Sequence, residues 1–112
     1  MTNFVYVITS DKIGSQDPDL GTRLMSTFFL KLIQTQSLPS HILLMERGVQ
    51  LLLPGSPCLD PIKVLEKRGI GLLACQTCLD YYGIKEQMGA GKISNMPDII
   101  EAMQAAGKVI HL

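Results

Sequence analysis

The sequence predicts an α/β protein with a parallel or mostly parallel sheet and helices on both faces. Three observations lead there. Three short runs, "FVYVIT", "HILLME" and "IGLLAC", are nearly continuous in apolar residues, as strands buried on both faces are, and "KVIHL" reads as a final strand. Between them lie stretches with helical spacing and helix-start residues. Strands alternating with helices in chain order favour parallel pairing through crossover connections.

The first strand is Phe4 to Thr9. The polar loop "SDKIGSQ" follows, with Gly14 as a turn glycine. Asp17 is suited to the N-cap, Pro18 to the first helical position and Asp19 to the positive end of the dipole. Leu20, Leu24, Met25, Phe28, Phe29, Leu32 and Ile33 form one apolar stripe, so a helix is expected from Pro18 to about Gln36. Gly21 inside it costs about 1 kcal/mol against Ala and marks a place of close packing.

"SLPS" breaks the chain before the second strand, His41 to Glu46. Val49 to Leu53 reads as a short edge strand or an apolar loop. Ser56–Pro57 or Asp60–Pro61 opens a helix that runs to Arg68, closed by Gly69. The third strand is "IGLLAC", and "QTCLDYYG" reads as one or two helical turns ending at Gly83. "IKEQMGAGKI" is expected to be a broken helical turn and loop. Ser94 or Asn95 caps a last helix to about Ala106, with Pro97 and Asp98 in its first turn. Gly107 ends that helix, and "KVIHL" is the final strand.

The chain has 112 residues, room for one domain over 1–112, and 46% of them are hydrophobic. A chain of this size buries roughly 65% of the surface of its unfolded form, so it does not need disulfide or metal staples. Its apolar composition points to a homo-oligomer. The ten basic and ten acidic residues are scattered and the net charge is zero, which leaves no basic footprint for nucleic acid. No apolar run approaches the ~20 residues of a membrane span. The start "MTNFVYVITSDK" lacks the pattern of a secretory leader, and three cysteines are an odd number, so a reduced, cytoplasmic setting is expected.

Chemistry concentrates at "LLACQTCLDYYG". In open parallel sheets ligands bind beyond the carboxyl ends of the strands. Cys75 stands at such an end, and the loops "SDKIGSQ", "ERGV" and "CQTC" should gather there. A thiol at a strand-to-helix turn meets free backbone N–H groups that favour the nucleophilic thiolate. Cys78, about one turn later, is placed to trap a sulfenic acid or persulfide on Cys75, or to pair with it in a disulfide. Lys12 could add positive charge, and Tyr81 and Tyr82 could wall the site. Gly14, Ser15, Gln76 and Thr77 complete the candidate lining.

Other residues read as structural. Cys58 is small apolar filling in the second helix. One cysteine pair and two distant histidines, His41 and His111, do not supply the four ligands of a zinc site, so no metal is expected. Gly14 lacks the GxGxxG and GxxxxGK[ST] phosphate patterns, and no cofactor is expected. The residues leave three functions open: a sulfur carrier, a CxxC thiol redox protein, and a structural subunit with buried cysteines.

The stretches "VITSDKIGSQDPDLGTRLM", "ERGVQLLLPGS" and "CQTCLDYYGI" resemble the DsrE/DsrF-like family, most of all the DsrE-like domain of YedF-type proteins, described as sulfurtransferase-like and linked to selenium metabolism. The resemblance runs from Phe4 to about Met103. It implies a three-layer α/β/α fold with a parallel sheet of about five strands and an oligomeric assembly. In the family's sulfur-relay subunits one strand-end cysteine accepts persulfide sulfur and passes it on, with a glycine eight residues later. Cys75 and Gly83 match that spacing, so the resemblance gives Cys75 the sulfur-accepting role. Cys78 has no counterpart in those subunits and belongs to a CxTC variant, in which Gln76 replaces an expected glycine. YedF-type proteins carry a TusA-like carrier domain ahead of this one. Here the first strand opens the chain, so a sulfur donor or TusA-like carrier would act in trans.

Overall fold

A computed structural model describes residues 3–112; Met1 and Thr2, part of the start read above as lacking a leader, lie outside the described residues. Five strands, β1 (Phe4–Ile8), β2 (His41–Leu44), β3 (Gly71–Cys75), β4 (Lys92–Ser94) and β5 (Lys108–His111), form one sheet in the order β4-β3-β2-β1-β5. Every neighbouring pair is parallel. Four helices connect them: α1 (Pro18–Leu32), α2 (Leu59–Lys67), α3 (Gln76–Tyr82) and α4 (Met96–Ala105).

Chirality sorts the helices between the faces. Parallel crossovers are right-handed because the strand twist lets a helix pack back only that way. The chain steps from β1 to β4 in one direction, which puts α1, α2 and α3 on one face. It then returns past β1 to β5, which puts α4 on the other. The core divides accordingly. Ile8, Ile42, Leu44, Leu72 and Ala74 pack with Met25 and Phe29 of α1, Ile62 and Leu65 of α2 and Leu79 of α3. Val5, Val7, Leu43 and Cys75 point the other way and pack with Ile99 of α4. Strand side chains alternate between faces with period two, so Cys75 belongs beneath α4.

The helix starts follow their capping residues. The Asp17 carboxylate accepts the Leu20 amide at 3.1 Å, and the Asn95 side chain accepts the Asp98 amide at 2.8 Å. α1 stops at Leu32, short of Gln36, because Thr35 folds back: its amide and hydroxyl both donate to the Leu32 carbonyl, at 3.1 and 2.8 Å. α2 begins at Leu59, with Pro61 in its first turn and Cys58, not Ser56 or Asp60, at the cap position. α3 ends at Gly83, whose φ of 66° is left-handed and lets the Ile84 amide reach the Leu79 carbonyl at 3.1 Å. Gly21 does mark a close approach, since a Cβ there would stand 2.8 Å from the Ile13 carbonyl oxygen.

Two segments differ from the sequence reading. Residues 46–52 are a 3-10 helix, neither strand nor loop, and β2 ends two residues earlier than expected, at Leu44. Val49, Leu51 and Leu52 are buried in it and anchor the strand-end loops to the core. Within "GAGKIS", Lys92–Ser94 form the edge strand β4 beside Leu73–Cys75.

Gly48 fixes the position of that 3-10 turn. A Cβ there would run into the Ile8 carbonyl oxygen, so the turn lies directly on the end of β1. Gly48→Ala should therefore cost about 1–3 kcal/mol, the range for overpacking. Urea unfolding should show this as a lower midpoint at unchanged slope; a midpoint equal to wild type would mean the turn is not pressed against β1.

Candidate functional site

The carboxyl ends of β1, β2 and β3 bring three loops to one edge. After β1, the loop of residues 9–16 is held to α1 by the Ile13 amide, which donates to the Gly21 carbonyl at 3.1 Å. After β2, the Met45 amide continues the ladder to the Ile8 carbonyl at 3.0 Å, and the chain then turns sharply at Glu46. After β3, Cys75 leads straight into α3.

Glu46 has a φ of 49°, the only positive φ at a non-glycine residue among the described residues. A left-handed non-glycine residue costs of order 1–3 kcal/mol and persists where its surroundings over-determine it. Here they do. Met45 is tied to β1 on one side, Gly48 is pressed on Ile8 on the other, and the Glu46 amide donates to the Cys78 Sγ at 3.1 Å. The strained turn thus aims a backbone donor at a thiol.

The two thiols have different surroundings. Cys75 is 3% exposed, packed beneath α4 with Leu43 and Ile99, and its side chain makes no capping hydrogen bond to α3. Cys78 is half-buried and touches both core clusters. The backbone donor expected at the N-terminus of α3 comes instead from Glu46, and the sulfur it meets is that of Cys78. Burial raises the Cys78 pKa above the ordinary thiol value, and the Glu46 amide opposes it. The adjoining Cys75 thiol, its charge when ionised, and the Glu46 carboxylate each raise it further.

A charged rim flanks the pair. Asp11, in the β1 loop, receives Lys12 Nζ at 3.2 Å and, across the site, Arg47 Nη2 at 3.4 Å. Burial pulls the Asp11 carboxyl upward, but Arg47 and Lys12 together hold it below the usual range. Asp11 in turn holds the Arg47 guanidinium above its ordinary value, with Tyr82 beside it adding to the effect. Pairs this exposed contribute at most about 1 kcal/mol each, so their consequence is geometric: they join the first and second loops.

Of the candidate residues, Cys75, Cys78, Lys12 and Tyr82 come to this edge. Gln76 and Thr77 are exposed on the first turn of α3. Gly14 and Ser15 are exposed in the β1 loop, and no hydrogen bond among the described residues links Ser15 to the thiols. Glu46, Arg47 and Asp11 were not singled out from the sequence. Their signal was an acid in one strand-end loop and a base in the next. Cys58 is buried in the core, and burial pushes its thiol up to about 11. His41 is half-buried across the sheet from Gly71, where a Cβ would stand 2.5 Å from its ring, and His111 is exposed on β5. Among the described residues no three His, Cys, Asp or Glu side chains are grouped to hold a metal ion, and no helix is long and apolar enough to cross a membrane.

A family model described as the DsrE/DsrF-like family matches residues 2–112. No curated protein sequence matches the chain significantly. Among solved structures, the chain is similar to the YchN protein from E. coli, with a TM-score of 0.75 at 18% identity over 100% of both chains. It is also similar to MTH1491 from Methanobacterium thermoautotrophicum, a protein of unknown function, with a TM-score of 0.68 at 20% identity over 100% of both chains. A third likeness is BT1422 from Bacteroides thetaiotaomicron, with a TM-score of 0.66 at 15% identity, covering 98% of this chain and 95% of that one.

The electrostatics of Cys78 give a test. Its alkylation by iodoacetamide, followed residue by residue, should rise with a midpoint above the free-thiol value of about 8.5. Glu46→Gln removes a negative charge that disfavours the thiolate while keeping the amide, so the midpoint should fall and the rate near neutral pH should rise. An unchanged midpoint would show that the carboxylate does not act on Cys78.

Proposed function

Because the chain belongs to the DsrE/DsrF-like family, we propose that it is a sulfur-relay protein whose Cys75–Cys78 pair carries sulfur as a persulfide. The observation that supports this most is the hydrogen bond from the Glu46 amide to the Cys78 Sγ in a site where two thiols adjoin. In this reading Cys75 bears the transferred sulfur beneath α4, a setting that keeps a hydrolysable, oxidisable persulfide from water. Cys78 is the resolving thiol. Attack by Cys78 on the inner sulfur of a Cys75 persulfide forms a Cys75–Cys78 disulfide and releases hydrosulfide; attack by Cys78 on the outer sulfur instead returns it to Cys78, where an acceptor's thiolate takes it on.

The donor or acceptor in this scheme is a separate protein, such as a TusA-like carrier, that meets the edge where Arg47, Lys12 and Tyr82 stand. The protein works in the reducing cytoplasm, as a homo-oligomer. The same adjoining thiols also favour a second reading, a redox couple, in which the disulfide itself is the functional state.

Incubation with a cysteine desulfurase and cysteine, followed by mass spectrometry, should add the mass of one sulfur to the peptide spanning both cysteines, and dithiothreitol should remove it. No adduct on the wild-type protein would overturn the relay reading. A stable disulfide with a potential inside the cytosolic range, and no adduct, would establish the redox couple instead.

A further inference from the structure

We propose that sulfur enters the pair through Cys78 and only then moves to Cys75, an order of transfer that rests on the sulfur-relay reading above.

Access separates the thiols. Cys75 is 3% exposed, within the buried cluster that includes Leu43 and Ile99, which leaves a donor no direct approach. Cys78 is half-buried on the outer side of the pair, at the edge where the Arg47–Asp11–Lys12 rim lies. It is also the thiol that already has a donor. The Glu46 amide, held in place by the left-handed turn, stands 3.1 Å from Cys78 Sγ and can stabilise negative charge on that sulfur as it attacks or leaves. A thiolate at Cys78 is thus both reachable and hydrogen-bonded, whereas Cys75 has no capping hydrogen bond and has apolar neighbours. Cys78 packs against the buried cluster that holds Cys75, which supplies the route inward.

The donor class is a persulfide or polysulfide, R–S–SH. The Cys78 thiolate, its proton lost to water, bonds to the outer sulfur. The donor's S–S bond breaks, and R–S⁻ leaves with the electron pair. Cys75 then bonds to the outer sulfur of the Cys78 persulfide. That S–S bond breaks, and the proton of the Cys75 thiol passes to the departing Cys78 sulfur. One S–S bond forms and one breaks in each step, so no outside oxidant or reductant is consumed.

The test loads the wild-type protein with inorganic polysulfide, blocks the reaction with a fast alkylating agent at successive times, and locates the added sulfur by fragment ions. The adduct should appear first on Cys78 and then on Cys75. Cys78→Ser should lose the Cys75 adduct, and Cys75→Ala should accumulate the sulfur on Cys78 without onward transfer. An adduct on Cys75 at the earliest times with none on Cys78, or loading of Cys75 in Cys78→Ser at the wild-type rate, would overturn the order and leave the relay reading standing. No adduct on either cysteine of the wild-type protein would overturn both.

Discussion

Every strand of the sheet runs in the same direction, and the position of each functional group follows from that. Parallel pairing puts the carboxyl ends of β1, β2 and β3 side by side, so that Asp11, Glu46 and the CxxC pair meet although they are far apart in sequence. The handedness of the crossovers then leaves α4 alone on one face. Cys75, with its side chain on that face, is sheltered by one helix, while Cys78 emerges on the next turn toward the open edge. A CxxC pair that looks symmetric in sequence becomes one sheltered and one reachable thiol because β3 ends between its members.

The site is held mainly by packing and backbone hydrogen bonds. The exposed ion pairs around Asp11 are individually weak, and the left-handed residue at Glu46 costs stability. That cost is offset by the burial of Val49, Leu51 and Leu52, which anchor the 3-10 turn; fully burying a side chain of this size is worth about 1.5–3 kcal/mol. The core therefore stabilises a turn that is locally unfavourable, and the turn presents an amide to sulfur. Opposing effects meet at Cys78 as well. Burial, the neighbouring thiol and the Glu46 carboxylate disfavour its charge, and the amide favours it. The net direction is upward, so the amide only partly offsets the groups that keep Cys78 protonated.

Much of this was legible in the sequence wherever local chemistry and tertiary structure agree. All four runs became strands, three of them largely buried and the last, β5, an exposed edge strand, and Asp17 and Asn95 cap helices through the hydrogen bonds their side chains predict. The gathering of the three loops followed from strand order alone. Legibility failed where tertiary contacts decide. The edge strand at Lys92–Ser94 has three residues in a glycine-rich stretch, and only pairing with Leu73–Cys75 makes it a strand. "RGVQLL" is apolar enough for a strand, yet Gly48 seated on the Ile8 carbonyl winds it into a 3-10 turn. The left-handed Glu46 has no local signature, since glutamate does not favour that conformation. The donor to the thiol was accordingly sought at the N-terminus of α3 and lies in the β2 loop.

The central claim is that the Glu46 amide and the Cys78 sulfur form a working hydrogen bond that responds to the charge on the thiol. Two-dimensional nitrogen–proton NMR of the Glu46 amide across a pH titration tests this most directly. The account predicts a downfield proton shift that follows the ionisation of Cys78 and disappears in Cys78→Ala. A Glu46 amide resonance that does not move through the Cys78 titration would contradict it.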